Sequence, residues 1–197
     1  MDRREALKKM GLSFGVIVAS PILFNSCTKE SQTHFFSELE LQLISDTADV
    51  IIPGTDQLPK ASDVGVAQYI DHYILDIVDT DEQSRIKSFT KRYLSVINPQ
   101  KPIEFWVEHA FLSPEVETDN WLKEIDNFGN NDSDTDATLS DSAAVYALLT
   151  NLKSLMIRAY RGSEFVGEQI LAYDPVPGRQ VGCVDLQEAT GGRIWSL

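Results

Sequence analysis

The stretch from about Ser140 to Tyr160 places Val145, Leu148, Leu149, Leu152, Leu155, Met156 and Ala159 at intervals of three and four. That is the period of one helix face, and a strand, whose side chains alternate every second residue, cannot satisfy it. A helix this long with one apolar face needs other helices to cover it, and the rest of the body supplies them. Ser37 and Glu40 form a capping box, followed by the apolar stripe Leu41, Ile44, Ala48 and Ile51, until Pro53-Gly54 stops the helix. A second helix is predicted from about Asp63 to Val78, with Val66, Ile70, Tyr73, Ile74 and Ile77 on one face. Asp79-Thr80-Asp81 breaks it and caps a third, whose Ile86, Phe89, Tyr93 and Ile97 repeat before Asn98-Pro99. Residues 102–128 hold two short amphipathic pieces, around Phe105-Trp106 and Trp121-Leu122-Ile125, separated at Ser113-Pro114, and a last helix spans Ser163 to Ala172. No segment sustains strand alternation. The expected class is therefore all-α: a single helical bundle domain over residues 37–197, with an irregular Pro/Gly-rich C-terminal tail beyond Tyr173.

Charge then removes a class of partner. The chain carries 17 Lys+Arg against 30 Asp+Glu, a net charge of −13. Nucleic-acid affinity comes mainly from cations that displace condensed counterions, so DNA and RNA are not expected partners.

Residues 1–26 read as an address. Arg3, Arg4, Lys8 and Lys9 precede an uncharged apolar run from Met10 to Phe24, shorter than the about 20 residues a membrane span needs. A basic start followed by a short apolar stretch is the grammar of an export signal. Arg3-Arg4-Glu5-Ala6-Leu7-Lys8 resembles the twin-arginine signal, with Ala6 where an aromatic or Leu is usual. Cys27 stands where a bacterial lipoprotein is cleaved and acylated, behind a loose lipobox, Phe24-Asn25-Ser26. Lipidation there would anchor the chain to a membrane, with residues 27–36 as a polar tether. The expected location is the periplasmic side of the cell envelope. A lipidated Cys27 leaves Cys183 without a partner, and that residue is read first as a small buried apolar side chain and second as a thiol facing a partner.

No constellation of catalytic residues emerges. Asp132, Asp134 and Asp136 have the spacing of the first three EF-hand ligands, but Ala137 and Ala143 occupy the positions that need Gly and a bidentate Glu. A solvated acidic loop over 129–136 accounts for them better. His34 lies in the tether, while His72 and His109 sit on predicted helices beside charged residues, as surface histidines do; none has metal-ligand spacing. There is no C-x-x-C-H for a c-type haem and no G-x-G-x-x-G after a strand, so no cofactor is expected on this chain. Gly191-Gly192-Arg193 has neither the strand nor the helix of a phosphate loop. An independent enzyme would have to use carboxylates such as Asp71 or Glu164, which nothing in the sequence selects. What remains is aromatic: Tyr160, Phe165, Tyr173 and Trp195 accompany Pro175, Pro177, Gly178 and Gly182 in the final stretch. Such a segment either folds back on the core or presents anchors to another protein.

Several blocks resemble one family. Tyr160-Arg161-Gly162-Ser163-Glu164-Phe165-Val166-Gly167, Tyr173-Asp174-Pro175-Val176-Pro177-Gly178, Gly182-Cys183 and Gly191-Gly192-Arg193-Ile194-Trp195 look like subunit 3, the small subunit, of gluconate 2-dehydrogenase. The first-helix sequence Leu43-Ile44-Ser45-Asp46-Thr47-Ala48-Asp49-Val50-Ile51-Ile52-Pro53 fits, as does Ala61-Ser62-Asp63-Val64-Gly65-Val66 leading to Tyr69-Ile70-Asp71. The resemblance covers roughly two-thirds of the chain and includes no catalytic signature. It implies a periplasmic complex in which a large glucose–methanol–choline (GMC) type flavoprotein binds FAD and oxidises a sugar, sugar acid or polyol. Electrons then pass to a cytochrome c, carrying haem c, or to another membrane acceptor. The small subunit, without a redox group, would help export the folded flavoprotein through the twin-arginine pore and stabilise it afterwards. Its docking face is expected at Tyr160, Phe165, Tyr173, Pro175, Pro177 and Trp195. The alternative is a free-standing helical periplasmic lipoprotein that binds a small ligand or scaffolds the envelope.

Overall fold

The computed structural model describes residues 33–129, 139–174, 178 and 183–196. Helix α1 (Glu38–Ile51) opens on the expected capping box: the Ser37 N–H donates to Glu40 Oε2 at 2.8 Å, and the Glu40 N–H to Ser37 Oγ at 3.4 Å. Its buried face is Glu40, Leu43, Ile44, Thr47 and Ala48, which keeps Ile44 and Ala48 of the predicted stripe but is rotated enough to leave Leu41 and Ile51 only partly buried. The rotation has a polar cause. Thr47 Oγ1 lies 3.3 Å from the Tyr93 hydroxyl in the core, and Glu40 is drawn in by Lys87.

The predicted second helix is two elements. A 3₁₀ turn (Ala61–Val64) ends at Gly65, whose φ of 71° is the left-handed conformation that favours glycine, and α2 (Val66–Ile77) starts from there. Ile77, expected inside, is exposed, while Asp71 is buried. Helix α3 (Thr80–Val96) is capped by Asp79, whose Oδ1 accepts the N–H groups of Asp81 and Glu82. Gln83 Nε2 donates to the carbonyls of Ile74, Leu75 and Val78, occupying acceptors that the end of α2 leaves open.

Helices α4 (Ile103–Leu112) and α5 (Glu115–Gly129) are the two amphipathic pieces, parted at Ser113-Pro114 as expected. The long helix α6 (Asp141–Arg161) is capped by Ser140, whose Oγ accepts the Ala143 N–H. It packs against α2, α3, α4 and α5, and Val145, Leu148, Leu149, Leu152 and Met156 fill the centre of the core. Tyr93 is fully buried there, and burial pushes its phenol up to about 12, despite the neighbouring Thr47 hydroxyl, so it stays neutral at ordinary pH.

The chain after α6 departs from the expectation at three points. The helix predicted over Ser163–Ala172 is a π turn (Phe165–Ile170), set off by Gly162 and by Ser163, whose Oγ donates to the Tyr160 carbonyl. The tail contains a short helix, α7 (Leu186–Thr190), between an Asp185 cap and Gly191 at φ 64°. Cys183, read first as buried, is exposed, with a positive φ of 55°. Among the described residues there is no β-strand, only isolated bridges between Asn98 and Lys101 and between Ala172 and Trp195, and the class is all-α.

The predicted tether also enters the fold earlier than expected. Phe36 is buried, and the N–H groups of Phe35 and Phe36 donate to Asp71 Oδ1 at 2.9 and 2.7 Å. Lys87 Nζ donates to the Phe35 carbonyl and to Glu40 Oε2, and stands over both phenylalanine rings. Residues 34–36 are therefore part of the bundle.

Burial alone would raise the Glu40 carboxyl, but hydrogen bonds from Lys87 and from Ser37 outweigh it and hold the pKa below its ordinary 4.5. Asp49 behaves alike: burial raises it, while the Ser62 N–H, Lys60 and the Ser62 hydroxyl together lower it below 3.8. A carboxyl depressed in the folded state adds stability above its unfolded pKa and loses it as pH falls through the folded value. Urea midpoints are therefore expected to hold from pH 7 to 5 and to drop below about pH 4.5, with Lys87→Met flattening part of that drop. A midpoint that rises on acidification would overturn this account.

Candidate partner-docking surface

Two of the titratable groups flagged by sequence, Asp71 and His109, tie segments of the fold together. Asp71 holds the 34–36 segment, its Oδ2 2.9 Å from His34 Nδ1, and His72 is exposed beside His34. His109 is half-buried, not the surface residue expected. Its Nε2 lies 3.0 Å from Ser142 Oγ and its Nδ1 3.2 Å from Ser113 Oγ, joining the end of α4 to α6. The imidazole packs on Phe105, Trp106 and Trp121. Glu164 is exposed at the mouth of the π turn. Ala143 is buried in the first turn of α6, while Asp132, Asp134, Asp136 and Ala137 lie outside the described residues. Among the described residues, no three His, Cys, Asp or Glu are grouped to hold a metal ion.

Large apolar side chains are exposed at Leu39, Ile77, Leu112 and Val116, and again along the aromatic tail, where a backbone seam orders them. The Ala172 N–H donates to the Ile194 carbonyl and the Ser196 N–H to the Ala172 carbonyl, both at 2.8 Å. Arg193 strengthens this seam: its Nη1 donates to the Leu171 carbonyl at 3.4 Å and its Nε to the Thr190 carbonyl at 3.3 Å. Val166 and Ala172 are buried yet stand outside the main core cluster. The seam brings the Tyr173 and Trp195 segments side by side with about half of each side chain exposed (51% and 48%). Ile194 at 69% and Leu186 at 59% are more open still, and Phe165 on the π turn is at 50%. Large apolar side chains held out by an ordered backbone are what protein interfaces use as anchors.

Of the residues singled out by sequence, Phe165, Tyr173 and Trp195 are thus presented to solvent. Tyr160 serves the fold: it packs against the core, and its hydroxyl donates to the Pro59 carbonyl at 2.8 Å. Pro175 and Pro177 lie outside the described residues, as do Arg3, Arg4 and Cys27. Sequence reasoning missed Ile194 and Leu186, although the Asp185 cap and the Gly191-Gly192 stop mark the short helix beside them. Among the described residues, no helix is long and apolar enough to cross a membrane.

Comparison with curated proteins returns no match, and comparison with solved structures returns none. The sequence profile described as "Gluconate 2-dehydrogenase subunit 3" matches residues 38–178, from the first residue of α1 to the glycine beyond the π turn, and the chain belongs to that family.

Proposed function

We propose that this chain is the non-catalytic small subunit of an exported gluconate 2-dehydrogenase-like complex, and that it docks its partner through Phe165, Tyr173, Ile194 and Trp195. The observation that carries the reading is the family match over 38–178; the exposed aromatic residues along the Ala172–Trp195 seam support the choice of docking face. The partner is a GMC-type flavoprotein that holds FAD and oxidises a sugar, sugar acid or polyol, with a cytochrome c or another membrane acceptor taking the electrons. This chain supplies the twin-arginine signal at Arg3 and Arg4, the lipid attachment at Cys27, and a surface that stabilises the flavoprotein by binding its folded form.

The test is an affinity pull-down of the full chain from its native envelope, with absorbance scanned for flavin and haem. A co-purifying flavoprotein with dye-reducing activity on sugars is the expected result. Phe165→Ser, Tyr173→Ser and Trp195→Ser together should lower its recovery at least about tenfold, which one well-packed anchor can supply, since tenfold is about 1.4 kcal/mol. The control pair Leu112→Ser and Val116→Ser alters exposed side chains at the α4–α5 junction and should leave recovery unchanged. A colourless monomer from a fully solubilised membrane would instead favour the free-standing lipoprotein.

A further inference from the structure

We propose that the groove between α2, α3 and α6 binds an apolar carboxylate, of the class of a medium-chain fatty acid, with Arg158 gripping its headgroup. The groove has a volume of about 370 Å³, within the range of small-ligand sites and well short of what an interface helix occupies. Its walls are Ile74 and Val78 at the end of α2, Ile86 on α3, and Leu152 and Leu155 on α6. Ile74, Ile86 and Leu152 are buried and form its floor, while Val78 and Leu155 are partly exposed; an alkyl chain laid there would be removed from water.

The polar groups of the lining select the head. Asn151, Ser154 and Arg158 follow one another at i, i+3 and i+7, so they stand along one face of α6. The Arg158 guanidinium lies over the Tyr73 ring, 4.8 Å from its centre, and the Tyr69 ring stacks on Tyr73 at 6.1 Å. That support fixes the orientation of a side chain otherwise rich in rotamers. In a chain with 30 acidic residues against 17 basic ones, no carboxylate of the described residues forms an ion pair with Arg158. Glu82, also in the lining, is paired at 3.3 Å with Arg85, which is not in the lining, so each of the two charged lining residues has a different setting: Glu82 has a cationic partner and Arg158 has no carboxylate one. A carboxylate meets a planar pair of donors that matches its two oxygens.

The full chain in phosphatidylcholine nanodiscs, titrated calorimetrically with decanoate against an empty-nanodisc blank, tests this. Expected is one saturable site, with decanol binding at least tenfold more weakly. Arg158→Gln should weaken decanoate at least tenfold without changing the melting temperature, and Ser154→Trp, which fills the groove from an exposed position, should abolish it. Equal binding of decanol and decanoate, an unaffected Arg158→Gln variant, or no saturable binding above the blank would each overturn the proposal. So would preferential binding of acetyl-tetraleucine, which would make the site a receptor for peptide C-termini.

Discussion

Replacing Asp71 by alanine is expected to lower the unfolding free energy by about 2–4 kcal/mol, because two backbone donors lose a charged acceptor at once. The carboxylate is 1% exposed and accepts from the Phe35 and Phe36 N–H groups while its other oxygen faces His34. Among the described residues Asp71 is the side chain that accepts from these two N–H groups, and without it Phe36 would be left buried beside an unsatisfied backbone. Asp71→Asn keeps an oxygen for the two N–H groups and should cost clearly less, which separates loss of the acceptor from loss of the charge. Urea unfolding of the full chain gives the number, and limited proteolysis between residues 33 and 37 gives its location. If both variants unfold at the wild-type midpoint and residues 34–36 stay protected, the anchoring role assigned to Asp71 is wrong.

Leu149→Ala is expected to cost about 3–4 kcal/mol, within the range for leucine truncations in closed cores. Leu149 is fully buried at the middle of α6, the helix that the four before it share. A helix gripped on several sides cannot slide to fill the space, so most of the cavity should persist. Since whole domains are stable by only about 5–15 kcal/mol, this is a large fraction of the total. The same urea titration should show a lower midpoint with an unchanged slope. Leu122→Ala, on the exposed side of α5, should move the midpoint by less than about 0.5 kcal/mol. Equal losses at the two sites would mean that α6 is not the centre of the core.

What could be read from sequence divides along the range of the interactions involved. Ser37 with Glu40 and Asp79 cap helices where expected, because a cap is settled within three residues. The inward face of α6 was equally plain, because apolar burial at helical spacing needs no particular partner. The face of α1 was read one position off, since Glu40 is turned inward by Lys87, 47 residues away, and Thr47 by Tyr93, 46 away. Asp71 looked like one acid among many, and its partners lie 35 to 37 residues upstream, in a segment that composition marks as tether. In the tail, the aromatic residues were visible but their exposure was not. Which side of Tyr173 or Trp195 faces water depends on the Ala172–Trp195 bridge, and no periodicity announces a single bridge. The exposed Cys183 belongs to the same stretch, where a small apolar residue carries no signal of its position.

The bridge has a consequence for how such a surface would behave. Two backbone hydrogen bonds and one arginine contact close the loop from Ala172 to Trp195, and the entropy of closing a loop grows only logarithmically with its length. Opening the bridge would therefore release the chain on both sides together, so Tyr173, Ile194 and Trp195 would be lost as one unit. A partner that holds these three residues also holds the loop shut. Every kilocalorie of its affinity that depends on the closed form is added to the local stability of the tail, and every weakening of the bridge is subtracted from the affinity. Recognition and the last step of folding are, for this surface, a single equilibrium.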